Sequence, residues 1–308
     1  MSRPVVVLAG GTGGAKLARG MLDVVGPHDL VVVANTGDDI EIYGAYVSPD
    51  PDLIAFWLAD RIDERGWGLD GDTFHVMNGL RDLGNDVWFN LGDQDLAIGI
   101  ERARALRHGA TLTEAHTDIA AALGVLTRIL PMSDAPVRTR VRAQGRWWPF
   151  QEFMIRNAAQ GPIEAVDFRG ARGTGATEAV LTAIAGARAL IIGPSNPVIS
   201  IGPMLAITDL RQAIEQTSAP VLAVSPLVEG QVVKGPTAAF LDWAGHPLSS
   251  DGIRAAYGGL LDGLVADQPC EAIRVLQTDV RMDRAEQRRE LARRTLRFAD
   301  ELTAQPSG

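Results

Sequence analysis

Four glycines crowd five positions directly behind an apolar run, in PVVVLAGGTGGAKLARGML from Pro4 to Leu22. The run Val5 to Leu8 is apolar without alternation, which predicts a parallel strand buried on both faces. Gly10, Gly11, Gly13 and Gly14 predict a tight turn, and helical spacing returns from Ala15 to Leu22. Glycine lets an anion approach the main chain, and the free N–H groups of a helix N-terminus form an anion site. Gly10 to Gly14, with Thr12 among them, are thus expected to cradle a phosphate or diphosphate, with Lys16 or Arg19 as counter-charge. The bland alternative is a strand-to-helix turn with nothing bound. No Gly-Lys-Ser/Thr follows, so the P-loop of ATPases and GTPases is set aside. Gly11, Gly13 and a misplaced Gly14 match G-x-G-x-x-G only loosely. The acid that would hold a ribose falls near Asn35 to Asp39, which keeps an NAD-dependent oxidoreductase open as a minor reading.

The next buried run, Leu30 to Ala34, leads into NTGDDIEIYGAYVSPDPDL, where Asp38, Asp39, Asp50 and Asp52 stand within 15 positions. In open α/β sheets ligands bind beyond the carboxyl ends of the strands. Carboxylates on such loops suit magnesium, which takes one or two of them together with waters and substrate phosphates. Turn and cap duty is the alternative for any single aspartate, and Asp52 is placed to cap a helix beginning at Leu53. Helical spacing is read over Leu53 to Arg65, Thr73 to Gly84, Ile98 to Arg107 and Thr113 to Leu123. Val87 to Leu91 is expected to be a strand ending in a second acidic loop, Gly92 to Asp95. Arg102, Arg104 and Arg107 read as a solvated face.

Val137 to Phe150 predicts a hairpin turning at Gln144-Gly145, with Trp147, Trp148, Phe150 and Phe153 either packed beneath it or forming a platform for a flat heterocycle. A parallel pattern resumes near Ile163, followed by a helix over Ala176 to Gly186 and buried strands at Ala189 to Ile192, Val221 to Ser225 and Ile273 to Leu276. After Ile192 the loop Gly193-Pro194-Ser195-Asn196-Pro197 offers polar groups to phosphate or a base edge, its prolines denying helix. A second proline loop carries Lys234-Gly235-Pro236. Arg284 to Leu302 closes the chain as an amphipathic helix.

These six strands, most separated by helices, predict a Rossmann-like, doubly wound α/β fold over residues 1–308, with an inserted hairpin and helical region at about 95–165. A net charge of −9 argues against nucleic acid and anionic membranes. No apolar run reaches 18 residues, and the single Cys270 excludes internal disulfides. A soluble cytoplasmic protein is expected.

Six segments together resemble the CofD family, the 2-phospho-L-lactate transferases of deazaflavin coenzyme F-420 biosynthesis. They are GGTGGAKLARG at 10–20, NTGDD at 35–39, SPDPD at 48–52, NLGDQDLA at 90–97, LPMSD at 130–134 and GPSNPVISIGP at 193–203. The resemblance implies a reaction in which the terminal ribityl hydroxyl of Fo, a riboflavin-like 5-deazaflavin, attacks the diphosphate of a guanosine conjugate. A phospholactyl, phosphoenolpyruvyl or phosphoglyceryl group moves to Fo and GMP leaves. By position it implies Asp38 and Asp52 as magnesium ligands, Asp38 alternatively as base, and Asp52 and Asn90 as Fo contacts. Relatives often carry Lys where this chain has Asn90. Gly193, Ser195 and Asn196 join Gly10 to Gly14 and Lys16 as expected nucleotide contacts, and a homodimer is expected. The YvcK-like UDP-sugar-binding proteins share the sheet, but their region after the second strand is rich in Gly and Ser rather than acidic.

Overall fold

Alternate residues of the first strand feed two different cores. In the computed structural model, which describes residues 3–233 and 235–304, β1 (Val5–Ala9) sends Val5, Val7 and Ala9 to one cluster and Val6 and Leu8 to another. Burial on both faces is the reason its sequence does not alternate. The helix α1 (Gly11–Val25) begins at Gly11, four residues earlier than the apolar spacing indicates, so the glycines form its first turn. β2 (Leu30–Ala34) then pairs with β1 in parallel, Val5 opposite Leu30 through Ala9 opposite Ala34.

Everything from residue 35 to 127 leaves the sheet at the carboxyl end of β2. A small hairpin, β3 (Ile40–Ile42) and β4 (Ala45–Val47), precedes α2 (Pro49–Leu58), α3 (His75–Asp82), α4 (Asp93–Arg107) and α5 (Leu112–Ala122). Two expectations fail here. The helix read to Arg65 stops at Leu58, where a turn-rich stretch with an Ile62–Leu69 bridge takes over. Val87 to Leu91 is irregular rather than a strand. Its Phe89 N–H donates to the Tyr43 hydroxyl (3.2 Å), and Val87, Phe89 and Leu91 pack with Met77 and Leu96. A short apolar run is satisfied by any buried neighbour, and periodicity cannot say which.

The chain re-enters the sheet at β5 (Arg128–Pro131), inside the interval 95–165, and pairs it with β2. It leaves again for an antiparallel unit of β6 (Arg138–Ala143), β7 (Arg146–Pro149), α6 (Phe150–Ile155) and β8 (Ile163–Arg169). The hairpin turn at Gln144-Gly145 is as expected. β8 instead joins β6 antiparallel, so the parallel pattern does not resume until after α7 (Glu178–Ala185), at β9 (Ala189–Ile192). Val141, Ala143, Phe150 and Phe153 make its core with Ile199 and Phe240.

The second half continues through α8 (Gly202–Leu205), α9 (Thr208–Gln216), β10 (Val221–Val224) and the hairpin β11 (Leu227–Val228) with β12 (Gln231–Val232). Next come α10 (Thr237–Trp243), α11 (Ser250–Tyr257), β13 (Gly263–Ala266), β14 (Val275–Gln277) and α12 (Ala285–Ala304). Lys234 lies outside the described residues. The sheet has seven strands in the order β14-β13-β10-β9-β1-β2-β5, parallel throughout; β5 and β13 are additions to the six expected, of which Val87 to Leu91 is not part. This is an α/β, Rossmann-like sheet with helices on both faces. From β1 the chain winds first toward β5 and then, through β9, toward β14. The crevice beyond the carboxyl ends of β1 and β9 is therefore the switch point where such sheets bind ligands. No helix among the described residues is long and apolar enough to cross a membrane.

Candidate active site at the switch point

The glycine turn and the loop after β9 touch, and the glycines permit it. A side chain on Gly13 would strike the Pro194 carbonyl oxygen, and a Cβ on Gly14 would lie 2.8 Å from both Ala9 Cβ and Ser195 Oγ. Gly193 leaves only 3.1 Å between its own would-be Cβ and Gly14 Cα. Gly11 has φ +64°, a left-handed conformation that glycine adopts without strain. The Gly10 N–H donates to Ser195 Oγ (3.2 Å) and the Gly11 N–H to Asp50 Oδ1 (2.7 Å). Thr12 and Gly13 follow in the first turn, where N–H groups have no intrahelical partner. Lys16 points to the other end of the molecule's sequence: its Nζ is 3.3 Å from Asp283 Oδ1 and 5.9 Å from the Trp57 ring centre. Pro197 does not deny helix but opens a π-helical turn, Pro197–Ile201. Asn196 caps it, accepting from the Val198 (2.9 Å) and Ile199 (3.2 Å) N–H groups, while its amide donates to Thr237 Oγ1.

Against this turn lies a buried acidic loop. Asn35 accepts the Gly37 N–H (2.8 Å) and donates to Asp50 Oδ2 (2.9 Å). The two carboxylates Asp38 and Asp50 are both buried. Burial, then the charges of Asp50 and Asp39, hold the Asp38 carboxyl well above the usual carboxylate range. Asp50 is pushed up to about 6 by burial, against its bonds from Asn35 and Gly11. Asp38 Oδ1, Thr36 Oγ1 and Thr139 Oγ1 are all buried without a hydrogen-bond partner. Asp39 accepts from Ser48 Oγ (2.8 Å) and the Tyr46 hydroxyl (3.1 Å), and burial raises it to about 7 despite Arg138. The antiparallel unit pins the loop: Thr139 N–H donates to the Gly37 carbonyl (2.7 Å) and Gln151 Nε2 to that of Asp38 (3.2 Å).

Asp52 starts from the same helical turn as Asp50 and meets different company. α2 begins at Pro49, with Ser48 before it, so Asp52 lies inside the first turn rather than capping it. Both its oxygens take the guanidinium of Arg102, an arginine with no exposed surface that also donates to the Tyr46 carbonyl (2.9 Å). His116 lies beside the pair, Nδ1 3.9 Å from Asp52, with neither ring nitrogen hydrogen-bonded. Burial and then Arg102 push it down to about 3, so it is neutral. Asn90 is exposed and accepts from Arg81 Nη2 (2.6 Å). Of the aromatic set Phe150, Phe153 and, in part, Trp148 pack beneath the hairpin. Trp148 is half-buried, its Nε1 donating to the Ala143 carbonyl (3.3 Å) and its ring under Arg146 (3.5 Å), while Trp147, on the other face of β7, is exposed under Arg140 (5.3 Å).

The sequence thus identifies the loops that meet here but not the pairing within them. Arg102 and His116 come from helices 50 and 64 positions beyond Asp52, and no local pattern marks either. Asp50, counted only as one of a cluster, is the carboxylate on the glycine turn.

The 2-phospho-L-lactate transferase CofD family model matches residues 5–298. A 2-phospho-L-lactate transferase of Methanosarcina mazei is 34% identical over 265 residues, covering 86% of this chain and 87% of that protein. A phosphoenolpyruvate transferase of Kitasatospora aureofaciens is 36% identical over 97% of this chain and 98% of its own. A solved structure from Bacillus halodurans, at 16% identity, shares the fold with a TM-score of 0.57 over 95% of this chain and 91% of its own. A second, with a TM-score of 0.55 and 17% identity over 88% and 83% of the two chains, is described as a UPF0052 family member. With its acidic loop and glycine turn meeting at one crevice and residues 5–298 matched, the chain belongs to the CofD family of 2-phospho-L-lactate transferases.

Proposed function

We propose that this transferase moves a phospholactyl, phosphoenolpyruvyl or phosphoglyceryl group from a guanosine diphospho-conjugate to the terminal hydroxyl of Fo, releasing GMP. The observation that supports this reading is the meeting of the glycine turn, the 193–196 loop and the Asp38–Asp50 pair at the sheet's switch point. The acceptor oxygen bonds to the phosphorus carrying the three-carbon acid, the bond from that phosphorus to the GMP oxygen breaks, and the hydroxyl proton is released. Such transfers need alignment and fixed charge more than covalent chemistry from the protein. Cys270 is buried and donates its thiol to Asp251 (2.9 Å), consistent with direct attack rather than a covalent enzyme intermediate.

Magnesium fits part of the expected ligand set. Asp38 has a buried oxygen without a partner beside a second carboxylate, a setting that a cation would relieve. Asp52 does not fit, because Arg102 already occupies both its oxygens. Among the described residues no three His, Cys, Asp or Glu side chains converge as a ready cage. When bound, the ion would neutralise charge on the donor phosphates. First-turn amides of α1 and Ser195 would orient the diphosphate, and the outward Trp147 would help select the acceptor. The reading includes a homodimer acting in the cytoplasm.

The test is incubation of enzyme, magnesium, Fo and each of the three guanylated donors, followed by mass spectrometry. Coupled deazaflavin with equimolar GMP is expected. A phosphorylated protein formed without Fo would refute direct attack, and absence of product with all three donors would refute the reaction.

A further inference from the structure

Arginines alternate along one face of β6, and their compensation changes from one end to the other. Arg142, at the outer end, is paired with Glu164 (3.1 Å). Arg140 lies over the Trp147 ring, and Arg138 lies over the Tyr46 ring (5.6 Å). Among the described residues neither Arg138 nor Arg140 forms a direct ion pair, and Arg138 meets the buried Asp39 only through the Tyr46 hydroxyl that both bond. Arg138 Nη1 donates to the carbonyls of Thr36 (3.4 Å) and Val137 (2.9 Å), and Nη2 to the Tyr46 hydroxyl (2.8 Å). A guanidinium has five N–H groups, so Nε–H and one hydrogen of Nη2 remain. Arg138 is only partly buried and its Nε makes no hydrogen bond among the described residues, which leaves this edge to an incoming group.

Its place is fixed from both sides. The next residue, Thr139, donates its N–H to Gly37, and Gln151 holds the Asp38 carbonyl, so Arg138 is anchored on the loop that carries Asp38. The groups named for relatives of this chain, 2-phospho-L-lactate and phosphoenolpyruvate, both carry a carboxylate on the carbon that bears the phosphate. A planar fork with one free edge matches a carboxylate in two parallel hydrogen bonds.

We infer that Arg138 reads the carboxylate of the transferred three-carbon acid, with Arg140 adding charge behind it, and so makes the enzyme select acid-bearing donors. This rests on the transfer reaction proposed above. The test compares two guanosine diphosphate esters, the 2-lactyl ester and the isopropyl ester, in which a methyl replaces the carboxylate. Both are measured by calorimetry and by turnover with Fo and magnesium. Wild-type enzyme is expected to favour the lactyl ester by roughly 10- to 100-fold in affinity. Arg138→Gln should erase that preference by weakening only the lactyl ester, Arg138→Lys should restore part of it, and Arg140→Gln should reduce it several-fold. Thermal melting of each variant checks its fold. Equal wild-type affinity for the two esters, or an equal loss for both in folded Arg138→Gln, would overturn the inference. Preferential binding of the lactyl ester without turnover would leave the arginine assignment standing and remove the transfer reading; binding of neither ester would overturn both.

Discussion

Asp50 and Asp52 leave the same first turn of α2 two residues apart, yet they solve burial in opposite ways. Asp52 is given a cation by the protein itself, Arg102, in a bidentate pair. Asp50 is given only neutral donors, the Gly11 N–H and the Asn35 amide, and stands near a second buried carboxylate, Asp38. A buried charge that carries its own counter-ion belongs to the scaffold, and breaking it costs the fold. A buried carboxylate left without one is tolerable where a ligand supplies the missing charge.

The comparison breaks most sharply at Arg102. Arg102→Met should destabilise the protein by about 3–5 kcal/mol by stranding Asp52, as read by urea unfolding. Adding Asp52→Leu should recover much of that loss, and no recovery would mean that Arg102 acts through some other partner. Next in size is Gly13→Ala, whose methyl group meets the Pro194 carbonyl. It should cost about 1–3 kcal/mol and weaken nucleotide binding; an unchanged melting temperature would show that the two loops do not need their close approach.

Asp38→Asn sharpens the other side of the contrast. Turnover should fall at least roughly tenfold, about 1.4 kcal/mol of barrier, with the melting temperature unchanged or raised. Wild-type rates in this variant, or full activity in EDTA, would remove Asp38 and magnesium from the reaction. The smallest effect is expected at Asp95, raised to about 7 by burial and by the charges of Asp52, Asp72 and Asp63. The unfolded chain gives up this proton near pH 4, the folded one only near pH 7, so the native state loses stability as pH rises between them. Holding this proton from pH 4 to pH 7 is worth about 4 kcal/mol unscreened, and solvent around this half-buried carboxylate reduces that, so Asp95→Asn should stabilise the protein above pH 7 by about 1 kcal/mol and have no effect at pH 4. A gain independent of pH would show that packing, not charge, is responsible.

The strands β1, β2 and β9 are legible because central parallel strands bury both faces and leave an unbroken apolar run. β13 escapes notice because it has only four residues, Gly263 to Ala266, and opens on a glycine close behind the apolar pair Leu260-Leu261. The glycine turn is legible as a place and not as a shape. Glycine's low helix propensity argues for a loop, while the need to admit Pro194 and Ser195 puts glycines inside a helix. In the acidic loop the residue types point to a site, but partner choice is settled by folding. Arg102 was expected on a solvated face because its neighbours Arg104 and Arg107 are charged too, and only the docking of α4 on β4 buries it.

α12 lies across α1, with the Arg288 backbone against Gly20, and Leu291, Ala292 and Leu296 share a core with Leu17, Ala18 and Met21. Part of the apolar face of α1, which also packs on α2 and the sheet, is therefore covered by a helix that begins about 260 residues further along the chain. Contacts of such long sequence separation form slowly. Until residue 285 has been made, that part of α1 lacks its native cover, and apolar surface exposed in this way is what makes partly folded chains prone to associate.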